Sequence, residues 1–236
     1  MTIRLFTNFD LDKDEQIILS DNDRHYLLNV MRKSVGDEIF LFNGKDGEWR
    51  CVLSRLDKKS AVANALESTR RQDEEKLLDV WLCAAVIKKD KMDLLIEKAT
   101  ELGVSGIIPV ITKRTNDSHL SVEKMTLRAK EAAEQSERLS VPFIKNPIAL
   151  SSLLEQWDKN RTLIYLNERT KGGSLEKTSS PIAFLIGPEG GFDDAEFEKL
   201  SALPYAKSVH LGRRILRAET AGISILAAWN QINGWI

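Results

Sequence analysis

Phe184-Leu185-Ile186-Gly187-Pro188-Glu189-Gly190-Gly191-Phe192 and His210-Leu211-Gly212-Arg213-Arg214-Ile215-Leu216-Arg217-Ala218-Glu219-Thr220-Ala221 decide how this chain folds. Each segment reads as a short apolar strand that ends in glycine and opens into a helix. Glycine there permits a sharp turn and lets main-chain N–H groups approach a ligand without an intervening Cβ. Two such strand ends side by side make a backbone-lined cleft, the usual place for a site on an open α/β sheet. Gly187–Gly191 matches neither G-x-x-x-x-G-K-[ST] nor G-x-G-x-x-G, which disfavours nucleoside triphosphates and dinucleotides.

Working outward, strands and helices alternate from Leu77 onward. Strands are expected at 77–87, 106–111, 162–167, 182–186 and 208–211. Helices are expected at 90–102, from a Ser121 cap to about 138, at a Ser152/Glu155 capping box, at 193–200 and at 218–232. That alternation predicts a parallel sheet covered by helices. Residues 1 to about 70 are instead β-rich, with short strands around Ile17–Leu19, Glu38–Phe42, Glu48–Leu53 and Ser60–Leu66. Asn43–Gly47 signals a hairpin, and Asp21–Met31 one short helix capped by Asp21 or Asp23. Strands at this spacing suggest a small barrel. Residues 67–76 are charged and lack apolar side chains, so the boundary is placed between 72 and 73.

The 236 residues, 42% hydrophobic and 29% charged, suit a soluble globular protein. No apolar run reaches bilayer length, and Met1–Phe6 lacks a signal-peptide layout. Cys51 and Cys83 sit in apolar runs without CxxC spacing, which predicts reduced thiols and a cytoplasmic protein. Net charge is −1, and residues 1–72 balance 12 basic against 12 acidic side chains. Bulk charge therefore advertises no nucleic-acid partner; any RNA surface must come from spatial clustering. His25, His119 and His210 are far apart and lack metal-ligand spacing, so no metal is expected.

Gly-Pro-Glu-Gly-Gly-Phe, followed about twenty residues later by Leu-Gly-Arg-Arg-Ile-Leu-Arg-Ala-Glu-Thr-Ala, resembles the SPOUT class of S-adenosylmethionine-dependent RNA methyltransferases. More closely it is similar to the RsmE family, which methylates N3 of a uridine in 16S ribosomal RNA. Ala99–Val104, Glu131–Arg138 with Pro142, and Arg24–Leu27 with Val30–Arg32 carry the likeness across both domains. Lys124–Arg128 and Ala218 depart from it, where relatives often have Arg-Trp and Thr. The resemblance implies an α/β fold: a C-terminal SPOUT trefoil-knot domain, with a mostly parallel sheet and flanking helices, plus a small N-terminal PUA-like β-barrel. Periodicity alone does not reach a knot. It also implies a homodimer acting on 16S rRNA, in the assembled small ribosomal subunit.

Methyl transfer is an in-line displacement that needs donor and acceptor held in alignment. Leu185, Ile186, Leu211, Ile215 and Leu216 are expected to wall the S-adenosylmethionine pocket. Gly187, Gly190 and Gly212 are expected to approach it with main chain, and Glu189 either to bind the cofactor or to bond the N–H groups of its own turn. Uridine N3 carries a proton and needs a base or a stabilising cation; Arg217 and Glu219, at the start of the last helix, are the catalytic candidates. Arg24, His25, Arg32, Lys88, Lys98, Arg114 and Arg138 are candidate RNA contacts. The rival readings are another SPOUT reaction, on a ribose hydroxyl or a tRNA base, and a non-catalytic RNA-binding assembly factor.

Overall fold

Alternating apolar residues in the first seventy positions build a curled sheet around one apolar interior. The computed structural model describes residues 3–76, 78–115, 120–167 and 172–235. Leu77, at the start of an expected strand, and His119 lie outside the described residues, as do Met1 and Thr2. The chain forms two compact units: Met1–Lys76 with Ala133–Val141, and Leu77–Ala132 with Pro142–Ile236.

In the first unit, β1 (Arg4–Phe6), β2 (Gln16–Ile18), β3 (Glu38–Phe42), β4 (Glu48–Leu56) and β5 (Ala61–Arg70) lie in the order β1-β3-β4-β5-β2. Only β1 and β3 pair in parallel. Three register shifts between β4 and β5 increase the local twist. Ile3, Leu5, Ile17, Leu27, Ile39, Leu41 and Leu53 fill the interior. At the β3–β4 hairpin Gly47 has φ +81°, and a Cβ there would stand 2.1 Å from the Arg70 carbonyl oxygen. Only glycine meets both conditions.

Helix α1 (Asp21–His25) continues as one π-helical turn, Tyr26–Val30. Its cap is Ser20, not Asp21 or Asp23. The Ser20 backbone is extended, and its Oγ accepts from the Asp23 N–H at 3.1 Å while donating to the Asp23 carboxylate at 2.6 Å. Ala133 and Leu139, far along the chain, pack with Phe42, Phe6 and Val141. The expected 72/73 boundary treats each domain as one stretch; the first unit also takes in 133–141. Charge and glycine content mark a linker, but they carry no sign of a segment that returns.

The second unit contains β6 (Val80–Ala85), α2 (Lys89–Glu101), β7 (Gly106–Ile111), α3 (Val122–Gln135, which runs on into the first unit), β8 (Phe143–Ile144), β9 (Ile148–Ala149), α4 (Leu150–Glu155), β10 (Thr162–Leu166), β11 (Ile182–Ile186), α5 (Asp194–Ala202), β12 (Ala206–Val209) and α6 (Ala218–Asn233). The sheet is parallel, in the order β12-β10-β11-β6-β7-β8, with β9 also on β7. All five β11 residues are buried, as a central parallel strand requires.

Helix α4 does not start at the expected Ser152/Glu155 capping box. Strand β9 runs straight into it, Ala149 is its first flank without a side-chain cap, and burial of Leu150 and Leu153 fixes its start. Asp193 does cap α5 in a reciprocal box with Glu196, at 2.7 and 3.0 Å. After β12 the chain is held by the segment that follows β10: Gly173 bridges to Val209, and the Trp229 Nε1–H donates to the Thr178 carbonyl at 3.1 Å.

Candidate functional site

The carboxyl ends of β10 and β11 stop at Leu166 and Ile186, and both residues line a cavity of about 210 Å³. One wall is the loop Gly187–Phe192. Opposite it stand Ile215 and Leu216 with Ala218 and Ala221 from the first turns of α6. Asn167 and Phe197 complete the lining. Gly191 (φ +66°) closes the first loop with an N–H donated to the Pro188 carbonyl at 2.8 Å. Gly212 (φ +100°) turns the chain out of β12, donating to His210 Nδ1 at 3.1 Å. Both φ values favour glycine.

The turn after β7 holds this loop from outside. Arg114 Nη1 donates to the Gly190 carbonyl at 2.7 Å, and the Lys113 N–H donates to Glu196 at 2.7 Å. Burial is graded across the cavity. Ile186, Pro188, Phe192, Ala218 and Ala221 are buried, whereas Glu189, Gly190 and Ile215 are exposed at its mouth. The exposed Arg213, Arg214 and Arg217 flank Ile215 and Leu216 in the chain.

Of the residues expected to hold the cofactor, Ile186, Gly187, Glu189, Gly190, Ile215 and Leu216 line the cavity. Leu185 does not; it is fully buried among Tyr165, Phe192 and Leu200, because side chains alternate across a strand. Leu211 and Gly212 shape the loop without lining the cavity. Arg217 is the exposed N-cap of α6, and Glu219 is 7% exposed; neither lines the cavity. Sequence reasoning passed over Asn167 and Phe197. The position of Asn167 just after an apolar strand is the only signal it carries, and its Nδ2 lies 3.3 Å from Ser208 Oγ.

The RNA candidates separate by environment. His25, Arg32, Lys88 and Arg114 are exposed, and Arg24 is half-buried against Asp21 at 3.1 Å. Lys98 already bridges Glu101 and Glu97 at 2.8 and 2.9 Å, and those carboxylates push its pKa up to about 12. Arg138 is a correction. It is buried, donates to Ser140 at 3.2 Å and lies 3.9 Å from Glu75, and burial lowers its pKa. Its guanidinium serves the interior of the first unit and offers no surface charge. Among the described residues no group of three or more His, Cys, Asp or Glu could hold a metal, and no helix is long and apolar enough to cross a membrane.

Residues 73–230 match the family model of an RNA methyltransferase domain, and residues 19–66 match that of an RNA methyltransferase PUA domain. The chain is 36% identical to ribosomal RNA small subunit methyltransferase E of Rickettsia conorii, covering 95% of this chain and 93% of that one. The Bacillus subtilis protein of the same name is 29% identical over 94% and 92%. Among solved structures, ribosomal RNA small subunit methyltransferase E of Neisseria gonorrhoeae, bound to S-adenosyl methionine, aligns with a TM-score of 0.86 at 29% identity over 98% of both chains. A methyltransferase of Legionella pneumophila in complex with the same cofactor aligns at 0.89 and 26% identity, again over 98% of both chains. With both domain models in order along it and relatives matched over nearly their full length, this chain belongs to the ribosomal RNA small subunit methyltransferase E family.

Proposed function

We propose that this protein transfers a methyl group from S-adenosylmethionine to N3 of a uridine in 16S ribosomal RNA. One observation carries the reading: a small, graded cavity at the carboxyl ends of the adjacent strands β10 and β11, between the glycine loop 187–192 and the start of α6, apolar within and exposed at Glu189, Gly190 and Ile215. The residues fit the cofactor. A Cβ on Gly187 would stand 3.3 Å from the Phe192 ring, and a Cβ on Gly190 3.4 Å from Arg114, so only glycine lets this loop pack so closely on those side chains while keeping its main chain along the cavity. The names of the relatives and the cofactor bound to two of them support the same reading.

When bound, the cofactor supplies a methyl group activated on a sulfonium. Ile186 and Leu216 would give the purine apolar walls, with the exposed Ile215 at their outer edge, while the main chain of the 187–190 loop would border it. Leu185, Leu211 and Gly212 fix those walls from behind. Excluding water between Phe192, Phe197 and Ala221 strengthens each polar contact inside. Arg217, exposed at the start of α6 and next in the chain to the lining residue Leu216, contacts the target nucleotide, and Glu219 stabilises the start of α6. Arg24, His25 and Arg32 of the PUA-like unit, with Lys88 and Arg114 of the second, meet RNA phosphates. The first unit thus grips RNA, and the second, with the trefoil threading implied by its family likeness, receives the base. A homodimer acting on the assembled subunit in the cytoplasm completes the reading.

The test uses labelled S-adenosylmethionine and small subunits from cells lacking the modification, with the product nucleotide mapped by mass spectrometry. A single N3-methyluridine is expected. Label on a ribose or on another base would reject the reaction, and no heat with S-adenosylmethionine in calorimetry would reject the site.

A further inference from the structure

We infer that the Glu189 carboxylate accepts the N3 proton of the target base, an assignment that rests on the reading above. Among the described residues that line the cavity, Glu189 has the only titratable side chain. Glu219 is buried away from the lining, and Arg217, a cation, offers no lone pair. Glu189 is exposed, and among the described residues no hydrogen bond uses its carboxylate.

The gradient of burial places it on the acceptor's side. An in-line displacement puts donor and acceptor on opposite sides of the moving methyl. Ile186, Phe192 and Ala221, the buried part of the lining, would hold the cofactor, and the acceptor would then enter at the exposed part. Glu189 is exposed there. Arg213, Arg214 and Arg217, exposed and flanking the lining residues Ile215 and Leu216 in the chain, suit a polyanionic strand. Arg114, bonded to the neighbouring Gly190 carbonyl, steadies the backbone that carries Glu189.

The step balances. The N3–CH₃ bond forms as the S–CH₃ bond breaks, and the sulfur leaves as a neutral thioether. The N3 proton passes to Glu189, so one carboxylate and one sulfonium charge vanish together and the methylated base is neutral.

The experiment compares the full-length chain with Glu189→Gln and Glu189→Ala. Calorimetry measures S-adenosylmethionine affinity, and single-turnover kinetics measure methylation of small subunits. Loss of a positioned base lowers the rate by about 10²–10⁴-fold, with cofactor affinity expected to hold within a factor of about three, since Glu189 leaves the main-chain contacts in place. Added formate should restore part of the Glu189→Ala rate in proportion to its concentration. A Glu189→Gln rate within a factor of about two of wild type overturns the assignment. So does a loss of cofactor affinity that accounts for the whole loss of rate. Wild-type product mapped to a ribose hydroxyl rejects the uridine N3 reading instead, and the variant rates then still report whether Glu189 takes the acceptor's proton.

Discussion

Arg4 is the residue on which the integrity of the first unit turns, and Arg4→Met tests that directly. Its Nε is paired with the Glu48 carboxylate, both side chains being at most 7% exposed. Its Nη1 and Nη2 donate to the carbonyls of Glu134 and Arg138 at 3.2 and 3.0 Å, and its guanidinium lies 4.9 Å from the Phe42 ring centre. One side chain therefore ties β1, β4 and the returning 133–141 segment together. Methionine keeps the apolar stem but strands Glu48, which retains only its 2.9 Å bond from Thr69 Oγ1. Removing one partner of a buried pair costs about 3–5 kcal/mol. Two carbonyls deprived of donors add about 1 kcal/mol each, partly recovered by the added apolar contact, for a net loss of about 4–6 kcal/mol. That approaches the whole stability of a small domain, about 5–15 kcal/mol. Native-state amide exchange of β3 and β4 reads this unit separately from the rest, with Arg4→Lys expected in between because it keeps the charge but loses the fork. Protection of those strands within about 1 kcal/mol of wild type would refute the argument, since pair and carbonyl bonds would then be contributing little net stability.

Gly47→Ala should cost at least about 3 kcal/mol in thermal unfolding, combining a left-handed backbone with a 2.1 Å clash against the Arg70 carbonyl. Gly36→Ala, at φ +93° with nothing within 4 Å, should cost only about 1–2 kcal/mol; equal losses would show that the clash is relieved for free. Burial pushes the Cys51 and Cys83 thiols up to about 12, so at pH 8 only about one in 10⁴ is thiolate. Neither should react with a chromogenic disulfide in the native protein, and both should react in guanidinium; fast native labelling would contradict the burial. A fragment beginning at Leu77 would leave Ala133, Leu139 and Val141 without the Phe6 and Phe42 they pack against. It should aggregate at concentrations where the full chain stays monodisperse by light scattering, and Leu139→Gln should relieve this; equal solubility would show the segment finds other cover.

Local signals of type and spacing were readable before any coordinates. The apolar run Ile182–Ile186 and the Met92–Leu95–Ile96–Ala99 stripe each specify an element through their own chemistry, and each stands where expected. Strand β1 does not stand out in the sequence because Arg4-Leu5-Phe6 is three residues long and has a charge at a buried position; Glu48 and the carbonyls of Glu134 and Arg138, all distant in the chain, make that arginine acceptable inside. The returning segment 133–141 was missed for the same reason. Arg138 reads as a surface cation until Glu75 and Ser140 stand beside it.

The cavity shows where sequence reading stops for the chemistry itself. Glycines name the loops, because φ and close approach are properties of single residues. Which side chain faces inward is a matter of strand alternation and helix phase at the last turn before the site. Leu185 and Ile186 are neighbours of equal character, yet one is core and the other lining. Ala218 and Ala221 reach the cavity while Glu219, between them, points elsewhere by the 100° step of the helix. A carboxylate that looked catalytic by its place in a motif is buried, while Glu189, in a loop, is the one the cavity exposes. A loop between a rigid strand end and a helix start places such a group at an open mouth without burying its charge.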